Sequence, residues 1–107
     1  MTDVLLVYIT TPDQAESKRI AKILIEEKLA ACANILPTID SVYYWQGELK
    51  QNNESLLLLK THREVFDSLM ERAQELHPYD LPCIVALPLC HGIPGFLNWV
   101  AEEVDAK

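Results

Sequence analysis

Two segments of helical period each lie between runs of strand-forming residues, and that order leaves very few folds open to the chain. Val4 to Ile9 is a short, β-branched apolar run, the pattern of a strand covered on both faces. Ala15 to Leu29 carries Ile20, Ile23, Leu24 and Ile25 at helical spacing among charges. Between them, Thr11 is placed as an N-cap, Pro12 at the first helical position and Asp13 near the positive helix end. Cys32 to Pro37 and Ser41 to Trp45 continue as a second extended stretch, where Pro37 predicts an edge position or a bulge. Gln46-Gly47-Glu48 and Gln51-Asn52-Asn53 mark a reversal, and Glu54 to Lys60 returns as a Leu-rich strand. Val65, Phe66, Leu69, Met70, Ala73 and Leu76 share one face of a second helix, ended by His77-Pro78. Cys83 to Pro88 reads as a fourth strand. After the turn at Gly92 to Gly95, Phe96 to Val104 reads as a closing helix with Trp99 and Val100 facing inward.

The order is β-α-β-β-α-β plus a C-terminal helix, an α+β chain of the ferredoxin-like, split βαβ type. Its 107 residues make one domain, residues 1–107. The hairpin from Cys32 to Lys60 is longer than two short helices can cover, and Tyr43-Tyr44-Trp45 extends beyond the chain's own core. Large apolar groups beside free strand edges predict self-association.

Charge and thiol content narrow the partners. Nine Lys plus Arg against sixteen Asp plus Glu give a formal net charge of −7, with Lys18, Arg19 and Lys22 interleaved with acids on one helix face. Without a basic stripe, nucleic acid and anionic membranes are excluded as partners. No apolar run approaches the length of a membrane span, and the N-terminus lacks the positive region of a signal peptide, so a cytoplasmic location is expected. Cys32, Cys83 and Cys90 form no CxxC pair, and disulfides are not expected. Cys32 and Cys83 read as small buried thiols, while Cys90 beside His91 is a soft-metal ligand pair.

Several activities hosted by this fold need residues that the chain does not have. The loop Thr10 to Asp13 holds neither the paired thiols of a metal chaperone nor the arginine of an acylphosphatase-like phosphate cradle. The first strand offers only Tyr8 where an RNA-recognition sheet displays aromatics. No nucleophile–base pair stands out, so the reading is non-enzymatic, with no organic cofactor expected. His77-Pro78-Tyr79-Asp80-Leu81-Pro82 places an imidazole, a phenol and a carboxylate in a proline-stiffened loop, open to a binding or a structural reading. His62 reads as surface.

Five segments in register carry a family resemblance. They are Lys28 to Ile35, Ser41 to Gly47, Glu54 to Thr61, His77 to Pro82 and Phe96 to Trp99. Together they closely resemble the CutA family of divalent-cation tolerance proteins, from about Val4 to Val104. The resemblance implies a cytoplasmic, ferredoxin-like homotrimer linked to divalent-metal tolerance, with copper binding, and kinship of shape with trimeric PII-type signal proteins. Some members carry a cysteine where this chain has Ile9 and a second histidine where it has Leu76, so His77 alone matches that ligand set. Phe96 stands where a tyrosine is common.

The leading expectation is therefore a homotrimer that binds copper or another divalent ion weakly, with His77, Cys90 and His91 as candidate metal ligands. Cys32, Asn34, Tyr43, Trp45, Lys60, Tyr79 and Trp99 are the candidates for lining clefts between subunits. The alternative is a PII-like trimeric regulator that takes a small anionic metabolite in those clefts, with Lys60 as charge partner. In that pocket Lys60 and His77 meet at one end of the sheet near Tyr79, unless Lys60 pairs structurally with Glu54 or Asp80.

Overall fold

The computed structural model describes residues 2–104. Strand β1 (Val4–Thr11) leads into helix α1 (Gln14–Glu26), then the hairpin β2 (Cys32–Trp45) and β3 (Glu48–His62). A short 3₁₀ turn (Arg63–Val65) opens α2 (Phe66–Leu76), followed by β4 (Ile84–Pro88) and α3 (Pro94–Glu103). The strands form one sheet in the order β2-β3-β1-β4, antiparallel throughout. This is the α+β, ferredoxin-like arrangement that the order of sequence patterns predicts.

Local chemistry sets the boundaries. Asp13, not Thr11, caps α1, its side chain accepting from the Glu16 N–H at 2.9 Å. Thr11 is fully buried and is used elsewhere. The helix stops at Glu26, short of Leu29, because Lys28 takes a left-handed conformation (φ 64°). Leu29 N–H then donates to Leu24 O and Lys28 N–H to Ile25 O, a Schellman closure. The hairpin reverses on Gln46-Gly47 alone, with φ of 52° and 81°, the two positive values of a type I′ turn. Gln51, Asn52 and Asn53 therefore lie within β3 rather than in a loop. A bulge interrupts the ladder between Leu36 and Ile39, at Pro37.

One face of the sheet is covered. Val7 and Ile9 of β1 and Leu57 and Leu59 of β3 pack with Ile20, Ala21 and Leu24 of α1 and Leu69 and Ala73 of α2. Next to this core runs a chain of buried hydroxyls. Ser55 Oγ donates to Leu36 O at the bulge (3.0 Å), Ser17 Oγ donates to Ser55 Oγ (2.9 Å), and Thr11 Oγ1 meets both Ser17 Oγ (2.7 Å) and Asp13 O (2.8 Å). The chain ties the start of α1 to β3 and to the bulge in β2.

The other face is largely bare. Strand alternation and register place Leu6, Tyr8 and Thr10 of β1 there, with Leu56, Leu58 and Lys60 of β3, Cys32, Asn34 and Leu36 of β2, and Val85 and Leu87 of β4. Leu36, Val85 and Leu87 are 43%, 50% and 52% exposed, and Val42, Tyr44 and Leu49 protrude on the hairpin. Helix α3 packs on β1 and β3 and buries Val100; Trp99 does not face inward but stacks obliquely on Phe96, rings 5.7 Å apart. Of the two thiols expected to be buried, Cys32 is half-buried and Cys83 exposed, because Cys32 sits on the open face and Cys83 precedes β4. Among the described residues, no helix is long and apolar enough to cross a membrane.

Candidate functional site

At the Thr10 end of the open face, the hairpin and the loop between α2 and β4 enclose a groove of about 770 Å³. Tyr8, Thr10 and Glu54 contribute from the central strands, Ile39 to Tyr43 and Trp45 from β2, and Pro78 to Leu81 with Cys83 from the loop.

His77 pins that loop in place. Its ring is buried, Nε2–H donates to the Thr10 carbonyl at 2.7 Å, and Nδ1 accepts the Tyr79 N–H at 3.1 Å. The Tyr79 donor requires an unprotonated Nδ1, so the imidazole is neutral with its proton on Nε2. The Tyr79 ring lies 4.9 Å from that of His77, and its hydroxyl donates to Glu54 Oε2 at 2.9 Å. Burial, then the bond to the Glu54 carboxylate and its charge, push the Tyr79 phenol up to about 12. Burial and the same carboxylate push the Cys83 thiol up.

The Tyr79 shift has a stability consequence. The phenol ionises at about 10 when unfolded and at about 12 when folded, so its contribution is whole below pH ~10 and is lost as pH rises through ~12. Denaturant titrations across that window are expected to show a decline that Tyr79→Phe removes. An identical decline in the variant would contradict this coupling.

The groove brings together Tyr43, Trp45 and Tyr79, with His77 behind them. The other candidates lie elsewhere. Lys60 Nζ donates to Asn34 Oδ1 at 2.6 Å on the open face, with Cys32 opposite Lys60 in the ladder. Thr10 pairs with Leu56, four residues from Lys60 along β3, or about 13 Å. The anticipated pocket joining Lys60, His77 and Tyr79 is thus not formed within one chain, and Lys60 is paired with neither Glu54 nor Asp80. Cys90 and His91 are exposed beyond β4, and Trp99 is on α3. His62 is not idle surface, since its Nδ1 accepts the Glu64 N–H at 3.1 Å and caps the 3₁₀ turn. Among the described residues, no three His, Cys, Asp or Glu side chains converge as a metal site.

Asp80 belongs to the proline-stiffened loop that the sequence leaves open to a binding reading, whereas Glu54, Asp40 and Tyr8 are groove residues that the sequence does not single out. Glu54 left one signal: it is the acid that opens an otherwise apolar Leu56–Leu59 run, at an open-face position.

Comparison with known proteins agrees with this geometry. Residues 5–103 match the family model for the CutA1 divalent ion tolerance protein. A divalent-cation tolerance protein from Thermus thermophilus is 48% identical over 92% of this chain and 95% of its own length. One from Archaeoglobus fulgidus is 41% identical over 92% and 96%. The chain spans 56% of a chloroplastic rice relative, to which it is 43% identical. A solved structure of CutA from Xylella fastidiosa superposes with a TM-score of 0.94 at 38% identity, covering 97% of this chain and 100% of that one. With a family model spanning nearly all of it and relatives at this identity, the chain belongs to the CutA1 divalent ion tolerance protein family.

Proposed function

We propose that the chain is a single-domain, non-enzymatic homotrimer that binds copper or another divalent ion weakly and contributes to divalent-cation tolerance in the cytoplasm. The observation that carries the reading is the open sheet face. Leu36, Val85 and Leu87 are half exposed on a face that continues into an apolar hairpin, more than an isolated chain leaves in water. The free edges β2 and β4 differ from each other, so pairing one against the other in a neighbouring copy is heterologous, the kind of contact that makes a ring when the rotation between copies closes. Three free thiols fit a reducing compartment.

The donors available support a reading of weak rather than tight metal binding. Cys90 and His91 give one thiol and one imidazole, two ligands where a tight site uses more. A metal on His77 must displace either the Tyr79 N–H or the Thr10 carbonyl. Calorimetric titration is expected to show weak copper binding and still weaker magnesium binding, because imidazole and thiolate favour the softer ion. Tight magnesium binding without a copper response would contradict the reading.

A further inference from the structure

Glu54 is 7% exposed, and the hydrogen bond it accepts comes from a neutral phenol, Tyr79, at 2.9 Å. Its other oxygen, Oε1, accepts no hydrogen bond from the chain's described residues, and the side chain lines the groove. Oε1 keeps access to solvent through the groove, and no Lys or Arg lines its walls, so a cation entering from water would meet this carboxylate without a competing one. Asp40 and Asp80 add two more acids to the same walls. Burial is the main reason the Tyr79 and Cys83 groups are raised, and the Glu54 carboxylate adds to both.

The remaining lining says which kind of cation suits it. The three acids do not converge with any other ligand group into a cage for a bare ion, and hard divalent ions need several oxygens at once. Around them stand the rings of Tyr8, Tyr43, Trp45 and Tyr79, surfaces that attract ammonium groups and cover alkyl stems. The groove, at about 770 Å³, is in the range of small-molecule sites, about 300–1,000 Å³.

We propose that the groove between the β2–β3 hairpin and the 78–83 loop binds a linear oligoamine, with one ammonium on Glu54 and its alkyl segments against the aromatic rings. Separated charges on an apolar chain match separated carboxylates among aromatics. A small anion meets the wrong sign of charge there.

The probe is spermidine, titrated calorimetrically into the full chain at low salt, with magnesium chloride and sodium phosphate as parallel probes. One spermidine per chain is expected, bound more tightly than magnesium and weakened by added salt. Glu54→Gln keeps an acceptor for Tyr79 and removes the charge; it is expected to weaken spermidine at least about tenfold. Far-UV circular dichroism checks that this variant folds. If it does not, Asp80→Asn on the exposed loop decides, with a several-fold loss expected. Spermidine binding no tighter than magnesium, binding indifferent to the deciding variant, or phosphate binding in its place overturns the inference. The groove lies at one end of the face proposed for assembly, but the hairpin and loop that enclose it belong to a single chain. A trimer that ignores spermidine overturns this inference alone, and a monomer that binds it overturns the assembly alone.

Discussion

A chain carrying Leu87→Asp is expected to fold and to remain a monomer. Leu87 lies on edge strand β4, opposite Leu6, with its side chain on the open face and half exposed. In the isolated chain the new carboxylate meets water, so stability changes by no more than about 0.5 kcal/mol. In the assembly it is buried among apolar groups without a cation, at a cost of about 3–5 kcal/mol per interface. Light scattering after size exclusion reads the mass, and circular dichroism reads the fold. A Leu87→Asp chain that assembles like its parent would show that the open face is not the contact surface.

Leu57→Ala is expected to act on the fold itself. Leu57 is fully buried on β3, between β2 and β1, and belongs to the cluster that joins the sheet to α1 and α2. Removing it leaves a cavity in a site braced from both layers, which costs about 2–5 kcal/mol, a large part of a typical domain's stability. Measured by urea denaturation in the Leu87→Asp background, the loss is read without assembly. There Leu49→Ala, at an exposed position on the hairpin, is expected to cost less than about 0.5 kcal/mol. Equal losses at the two positions would contradict the assignment of the core.

The fold was legible because periodicity reports burial directly. Ile20 and Leu24, or Leu69 and Ala73, recur at the spacing of one helix face, and that face is the buried one. The turn was less legible: three polar residues, Gln51, Asn52 and Asn53, look like a loop, yet they continue a strand too long to be covered and so face water. Thr11 and Asp13 are both good caps by type. The choice went to Asp13 because Thr11 points inward, to Ser17.

The site was half legible. Tyr43 and Trp45 stand out as aromatics beyond the core and Tyr79 as the phenol of a proline-stiffened loop, and all three line the groove. Lys60 and His77 were paired because each ends an element, but ends of elements are not ends of the sheet. β3 runs past β1, and its last residues sit opposite Val4 and Leu5 while His77 meets Thr10. Glu54 carries only one local mark, as the acid that opens an apolar run; its place in the groove is set by Tyr79, 25 residues away, whose hydroxyl donates to it.

The proposed trimer makes the open face the assembly surface of a three-chain ring. Sedimentation equilibrium of the unmodified chain at micromolar concentration reads its mass without a reference shape. A single species of three times the 12.2 kDa chain mass is expected. A single species at 12.2 kDa, with the open face in water, would contradict it.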